Sequence, residues 1–325
     1  MKKILVTILT LALLTSIVAC SQKKDSGKVT IGLIQYIQHA ALDKATEGFK
    51  AALKDNGYIE GENLVYDDQN AGGEEANCVT IADKFVNEKV DLIFANATPA
   101  AQAVANKTTE IPVVITSVTD PESAGLVDTN SNPGGNITGT SDLTPVENQL
   151  DLLVQLLPNA KKVAVMYCGA EDNSIFQAKI AMNYLKKLGL TGQETTVSDS
   201  NSIQQVVESL IGKVDAIYIP TDNLLASGMA TVTLVANKNN LPVIVGESGM
   251  VSNGGLATYG IDYYNLGYKT GEMAVKILKG ESKPADMAIE YLPAEDCELV
   301  VNTTSAKTLG LTIPEDILAK AKTVE

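Results

Sequence analysis

Acids, hydroxyls and tyrosines recur in this chain at one kind of position, the few residues after a short β-rich run. Asp120, Asp142, Asp222 and Asp262 stand there, with Glu247 at another strand end. A carboxylate so placed can accept charge-assisted hydrogen bonds from an ammonium group. Asp222 leads, because it follows the apolar run Ile217-Tyr218-Ile219 and precedes Asn223 at a helix start. Asp120-Pro121 is a good turn opener and ranks low. The plainer role of these acids is a helix cap or a turn. Thr98-Pro99 opens a helix directly after a strand, and Pro at the first helical position leaves later N–H groups free to point at an anion. Ser174 sits at a similar junction, and capping is the plainer role of both hydroxyls. Tyr36, then Tyr263 and Tyr264, could wall an aromatic or broad apolar group. The last two could equally pack a hinge. His39, the single histidine, could stack on a ligand or donate to it, or be a satisfied structural residue.

Other chemistry is poorly supplied. One histidine and no Cys-x-x-Cys exclude a multi-His or zinc-type metal site, and no cofactor is expected. All 25 basic residues are lysine, so no guanidinium clamp exists for a carboxylate or phosphate. Cys78, Cys168 and Cys297, odd in number once Cys20 is set aside, argue against a disulfide framework and for small core thiols. Cys78 and Cys168 are the only plausible pair for a two-cysteine enzyme such as a racemase. Cys78 falls in a helical run, however, and only His39 could activate Cys168.

The first twenty residues limit where any of this can act. Lys2 and Lys3 precede an apolar run over residues 4–18, then Ile17-Val18-Ala19-Cys20 and a polar stretch. A charged start, a short apolar segment and small residues before a cut describe a signal peptide. The run is too short for a membrane span of about 20 residues. Cys20 at the cut is similar to the lipidated cysteine of bacterial lipoproteins. Residues 1–19 are therefore read as a signal peptide, and 20–28 as the lipidated Cys and its tether. That places the remainder outside the cytoplasmic membrane, lipid-anchored at Cys20. The net charge of −14 becomes −16 once Lys2 and Lys3 are removed, and it excludes nucleic acid as a partner.

The elements that must position these residues alternate. Strands are expected at Val29–Tyr36, Leu64–Gln69, Asp91–Ala97 and Pro112–Val118, with helices at Ala40–Asn56, Glu74–Glu88 and Pro99–Lys107. The pattern restarts with strands Val163–Tyr167, Thr195–Val197, Asp215–Pro220 and Pro242–Gly246. Helices Ser174–Leu188, Ser202–Gly212 and Leu224–Asn239 lie between them. Asp91-Leu92-Ile93-Phe94 answers to Asp215-Ala216-Ile217-Tyr218, and Ile111-Pro112-Val113 to Leu241-Pro242-Val243. This is an α/β chain of two similar Rossmann-like lobes with parallel sheets. Ligands of such sheets sit outside the carboxyl ends of the strands. A long helix Leu266–Leu278, strands Ala288–Leu292 and Leu299–Asn302, and a helix after Pro314 must complete lobes already begun, so a multi-strand hinge joins them. Lobe 1 is expected at 29–138 plus about 263–287, and lobe 2 at 139–262 plus about 288–325.

The strand-end loops form an ordered set: Gln35-Tyr36-Ile37-Gln38-His39, Asn96-Ala97-Thr98-Pro99, Thr119-Asp120-Pro121, Thr138-Gly139-Thr140-Ser141-Asp142, Glu171-Asp172-Asn173-Ser174, Pro220-Thr221-Asp222-Asn223 and Gly260-Ile261-Asp262-Tyr263-Tyr264. Together they resemble the tryptophan/tyrosine-type substrate-binding lipoproteins of ABC importers, of the type I periplasmic-binding-protein superfamily. The resemblance runs from Val29 to Ala321, with Ala40 where that family often has proline. It implies an aromatic amino acid as ligand, captured between the lobes and passed to an ABC permease and its ATPase, with no catalysis. The implied ligand-binding residues are Tyr36, His39, Thr98, Pro99, Thr119, Ser141, Asp142, Asn173, Ser174, Thr221, Asp222, Asn223, Glu247, Asp262 and Tyr263. The ligand carboxylate is expected at the Thr98 helix start and its ammonium near Asp222. A lipoprotein sensor serving a membrane receptor is the alternative. A ligand-sensing transcriptional regulator is excluded by an export signal where its DNA-binding helices would stand.

Overall fold

The computed structural model describes residues 27–292 and 296–325. The signal-peptide and Cys20 expectations therefore lie outside the described residues. The first sheet contains β1 (Val29–Gln35), β2 (Leu64–Asn70), β3 (Leu92–Asn96), β4 (Val113–Val118), β5 (Ile137–Ser141) and β11 (Glu290–Tyr291). Their order is β11-β5-β4-β3-β1-β2, and every pairing is parallel. The second holds β6 (Lys162–Cys168), β7 (Thr191–Val197), β8 (Ala216–Ile219), β9 (Val243–Val245), β10 (Ala257–Gly260), β12 (Glu298–Asn302) and β13 (Lys322–Val324). Its order is β13-β12-β10-β9-β8-β6-β7, parallel except where β10 meets β12.

Helices cover both faces of each sheet. In chain order they are α1 (Ala40–Asp55), α2 (Glu75–Glu88), α3 (Thr98–Ala105), α4 (Val146–Leu156), α5 (Asp172–Lys187), α6 (Ile203–Leu210), α7 (Asn223–Ser227), α8 (Met229–Lys238), α9 (Ser248–Ser252), α10 (Tyr263–Leu278), α11 (Thr303–Thr308) and α12 (Glu315–Leu318). Because both faces are covered, central strands such as β3 and β4 are buried along their whole length and open on apolar runs, Leu92-Ile93-Phe94-Ala95 and Val113-Val114-Ile115.

The internal repeat is also a repeat of bonding. Asp91 accepts the N–H of Thr30 at the start of the neighbouring strand, and Asp215 accepts those of Lys161 and Lys162. Ile93 and Ile217 each donate their N–H to a proline carbonyl, Pro112 and Pro242, at 2.9 Å.

Lobe 1 is finished by residues far along the chain. Helix α10 packs lengthwise on α1, and glycines allow the contact. A Cβ on Gly267 would strike the carbonyl of Ala45, and one on Gly271 would lie 2.6 Å from the Ala52 Cβ. Beneath this pair Phe49 stacks on Phe94 with ring centroids 4.0 Å apart.

Three features differ from the sequence expectations. Strand β5 straddles the expected boundary at 138 and lies in the first sheet, as does β11, expected with lobe 2. The helix expected over Leu224–Asn239 breaks into α7 and α8 at Gly228, where a side chain would collide with Ile203. Helix α4 was not anticipated; it buries Val146, Leu150, Leu153 and Leu156. The chain passes between the sheets after β5, after β10 and after β11.

Candidate functional site

The carboxyl ends of both sheets face each other across a narrow space with a cavity volume of about 10 Å³. Lobe 1 contributes Ser117 at the end of β4, Thr119 just after it, Asp142 after β5, and His39, Leu42 and Tyr263 from the first turns of α1 and α10 or just before them. Lobe 2 contributes Asn173 from α5, the Thr221-Asp222-Asn223 turn after β8, Ala226, and Glu247 and Met250 around the start of α9.

Hydrogen bonds cross the space. His39 Nε2 lies 3.2 Å from Asn223 Oδ1, and Gln177 Nε2 donates to Thr119 Oγ1 at 3.3 Å. At the rim Gln102 Nε2 donates to Asp172 Oδ2 at 2.8 Å. These contacts bind lobe to lobe, so the cleft is closed.

Four carboxyl groups are buried here, and each feels its desolvation first. Asp142 accepts from the Tyr263 hydroxyl (2.8 Å) and from Thr119, and burial pushes it up to about 6. Burial pushes Glu247 up to about 7 despite two backbone N–H donors, and the nearby Asp142 charge adds to the rise. Glu171 is pushed up to about 8 by burial and by neighbouring Asp222. Asp222 is raised too, by burial, but both of its oxygens are committed: Cys168 N donates to one at 2.6 Å and Leu225 N to the other at 2.8 Å. Burial also lowers His39 to about 4, so its imidazole is neutral at pH 7. No lysine lines the space.

Several buried polar atoms lack a protein partner, among them Ser117 Oγ, His39 Nδ1, Asn173 Oδ1 and Thr98 Oγ1. Ser117 stands out. The β4–β5 register shifts between Ile115 and Val118, and Ser117 has a left-handed backbone with φ of 53°. Ala97, at the end of β3, has φ of 87°. Such non-glycine conformations cost about 1–3 kcal/mol and cluster at ligand clamps.

Of the residues expected from sequence, His39, Thr119, Asp142, Asn173, Thr221, Asp222, Asn223, Glu247 and Tyr263 line this space. Thr98 is buried at a separate hollow on the rim, which also touches Asn173, Phe176 and Lys179. Pro99 borders a groove on the outside of lobe 1. Tyr36 points elsewhere and donates its hydroxyl to Gly73 O at 2.9 Å. Ser141 donates to Thr119 O at 2.6 Å, and Ser174 accepts from Asn173. Asp262 is exposed and caps α10 by accepting from Asn265 N. Sequence reasoning missed Leu42, Ser117, Ala226 and Met250, and gave no role to Glu171 or Gln177. Cys78 and Cys168 are buried thiols pushed up to about 12 by burial, and neither lines the space. Among the described residues no group of His, Cys, Asp or Glu could hold a metal ion.

Two α/β lobes closed over a polar cavity at their strand ends define a binding protein of the type I periplasmic class. The chain belongs to the family of ABC transporter substrate binding proteins, whose model matches residues 30–325. It is 44% identical over 292 residues to the tyrosine-binding protein of Clostridioides difficile (strain R20291), covering 90% of this chain and 84% of that one. The structure of an ABC domain in complex with L-Trp from Streptococcus pneumonia superposes with a TM-score of 0.88 at 37% identity, covering 92% of this chain and all of that one. A ligand-free, open structure of a substrate binding protein with adhesive properties from Clostridium difficile is nearer in sequence, at 45% identity, but superposes at only 0.69, over 91% of this chain and 99% of that one. The arrangement of the lobes thus matches the ligand-bound relative better than the open one, in keeping with the cross-lobe hydrogen bonds.

Proposed function

We propose that this protein captures an aromatic amino acid (tyrosine, tryptophan or phenylalanine) between its lobes and delivers it to an ABC permease and its ATPase. The observation that carries the reading is the meeting of Asp142 from lobe 1 and Glu247 from lobe 2 at one buried space that no lysine enters. Two desolvated acids without a cation call for a cationic ligand group, and the ammonium of an amino acid supplies one with three donors. The carboxylate end is assigned to the hydroxyl of Ser117, which has no protein partner. Leu42, Met250 and the faces of His39 and Tyr263 supply the wall for the ring. The tyrosine-binding relative and the relative holding L-Trp support an aromatic cargo. A cysteine enzyme is disfavoured, because thiols held near 12 supply almost no thiolate at pH 7.

Mass spectrometry of ligand released from denatured, freshly purified protein, followed by calorimetric titration with the three amino acids, is the test. Absence of binding to all three would end the aromatic reading. The anchor is proposed at Cys20 on the strength of the charged start, the short apolar run and the small residues that precede it. Cys20→Ser should leave a ligand-competent domain that no longer fractionates with membranes, and unchanged membrane partition would count against the anchor.

A further inference from the structure

Gln149 does not line the cleft, but its side-chain amide joins three strands of lobe 2 to α4. It is fully buried. Its Nε2 donates to the carbonyl of Gly246 at 3.1 Å and to that of Tyr259 at 2.7 Å. Its Oε1 accepts the hydroxyl of Tyr218, also fully buried, at 2.7 Å. Carbonyls can only accept, so the amide is fixed in this orientation. Strands β9 and β10 pair at Ile244 and Ala257. Gly246 and Tyr259 stand two residues further along each, and Gln149 spans them there.

Both carbonyls lead to the site. That of Gly246 belongs to the peptide that presents Glu247. Gly246 also packs on the Thr221 turn, since a Cβ there would lie 2.4 Å from Thr221 N. The carbonyl of Tyr259 belongs to the peptide from which the chain leaves lobe 2 for Tyr263 at the start of α10. Tyr263 donates its hydroxyl to Asp142 at 2.8 Å. From Asp142 the chain crosses into α4 and returns to Gln149, so the circuit closes. Two crossings are tied at the lobe 1 end by Tyr263 and Asp142, and at the lobe 2 end by Tyr259 and Gln149. A buried carbonyl without a donor is costly, so the amide holds both peptides in place. We propose that Gln149 is a positioning residue of the binding site: it sets Glu247 through the Gly246 peptide and joins it to the hinge through the Tyr259 peptide, so that the two crossings and the two acids form one hydrogen-bonded frame. This role rests on the assignment of the ligand ammonium to Asp142 and Glu247.

The test is a double-mutant cycle read by calorimetric titration with L-tyrosine and L-tryptophan. Gln149→Met keeps the length of the side chain and removes both donors. It should weaken binding roughly tenfold or more in the wild-type background, and by less than threefold once Glu247→Gln has removed the group being positioned. Tyr218→Phe leaves both carbonyls held and should keep affinity within threefold of wild type. Equal weakening by Gln149→Met in the two backgrounds would overturn the role, as would no weakening at all, or an equal loss from Tyr218→Phe. If Glu247→Gln alone binds within threefold of wild type, the ammonium lies elsewhere and the role falls with it. Solvent exchange of the Gln149 NH2, followed by NMR in the wild-type protein, needs neither variant nor ligand. It should be slow with and without amino acid, and exchange as fast as an exposed amide in the ligand-free protein would overturn the frame. Failure of the wild type to bind either amino acid would end the aromatic reading instead, and the exchange measurement would still decide the frame.

Discussion

Asp142 and Glu247 are brought together from opposite lobes, and each carboxyl oxygen accepts one protein donor, from Thr119 and Tyr263 or from Gly249 N and Met250 N, which leaves a second lone pair on each for a ligand. If they hold the ligand ammonium, removing either charge should be costly. Loss of one member of a buried charge pair typically costs about 2–5 kcal/mol, so Asp142→Asn or Glu247→Gln should weaken amino-acid binding roughly 30-fold or more. Titration within threefold of wild type would show that the ammonium sits elsewhere. Asp222→Ala should behave differently. Its oxygens hold the N–H groups of Cys168 and Leu225, so the ligand-free protein should lose about 1–2 kcal/mol of stability, read as a lowered thermal midpoint. An unaltered midpoint would return Asp222 to the ligand. The sequence made Asp222 legible as a strand-end acid at a helix start, but a cap and a ligand carboxylate look alike there. Ser117 was illegible for another reason: its projection into the cavity comes from a register shift between β4 and β5, which no local pattern encodes. Gln177 sits in ordinary helical sequence and Glu171 in the loop just before α5, and their importance lies in partners 44 to 58 residues away.

Among the elements, the pair α1 and α10 sets the precision of the site, because His39 precedes one and Tyr263 opens the other. Their seam has no room for a methyl group at Gly267, where it would meet the Ala45 carbonyl. Gly267→Ala should therefore destabilise the protein by about 1–3 kcal/mol through overpacking, despite the better helix propensity of alanine. A thermal or urea midpoint at or above wild type would contradict this packing. The alternation of β-rich and helical runs made most of these elements readable in the sequence. Helix α4 carries its signal only in the helical spacing of Val146, Leu150 and Leu153. Strand β11 was visible as a strand, but its partner was not: Glu290 and Tyr291 pair with Thr140 and Ser141, about 150 residues earlier.

At the scale of the whole molecule, closure and protonation are linked. An open cleft hydrates Asp142 and Glu247 and returns them to the ordinary carboxylate range, whereas the closed cleft raises them to about 6 and about 7. Closing without ligand therefore takes up protons at these two acids, while His39, lowered to about 4 by the same burial, gives one up, an opposing effect that the two acids together outweigh at pH 5. The closed ligand-free form is favoured at low pH and loses that support as pH rises through 6 to 7. X-ray scattering of ligand-free protein should give a smaller radius of gyration at pH 5 than at pH 8. With saturating amino acid the radius should be small at both, since the ammonium replaces the protons. A ligand-free radius that is constant from pH 5 to 8 would refute the linkage.

The order in which the chain visits its two sheets has a consequence for how the protein is made. The first sheet begins at Val29 but is not complete until Tyr291, and Ala274 and Val275 of α10 belong to the cluster around Phe49 and Phe94. A nascent chain that has emerged only as far as Ser141 carries five strands whose aromatic face has no lid. It must wait through the whole of β6 to β10 before the covering helix arrives. The second sheet in turn waits for β12 and β13, which end at Val324, so neither lobe is sealed until the last part of the chain arrives, and the N-terminal strands, the first to emerge, stay open to chaperones and proteases for longest.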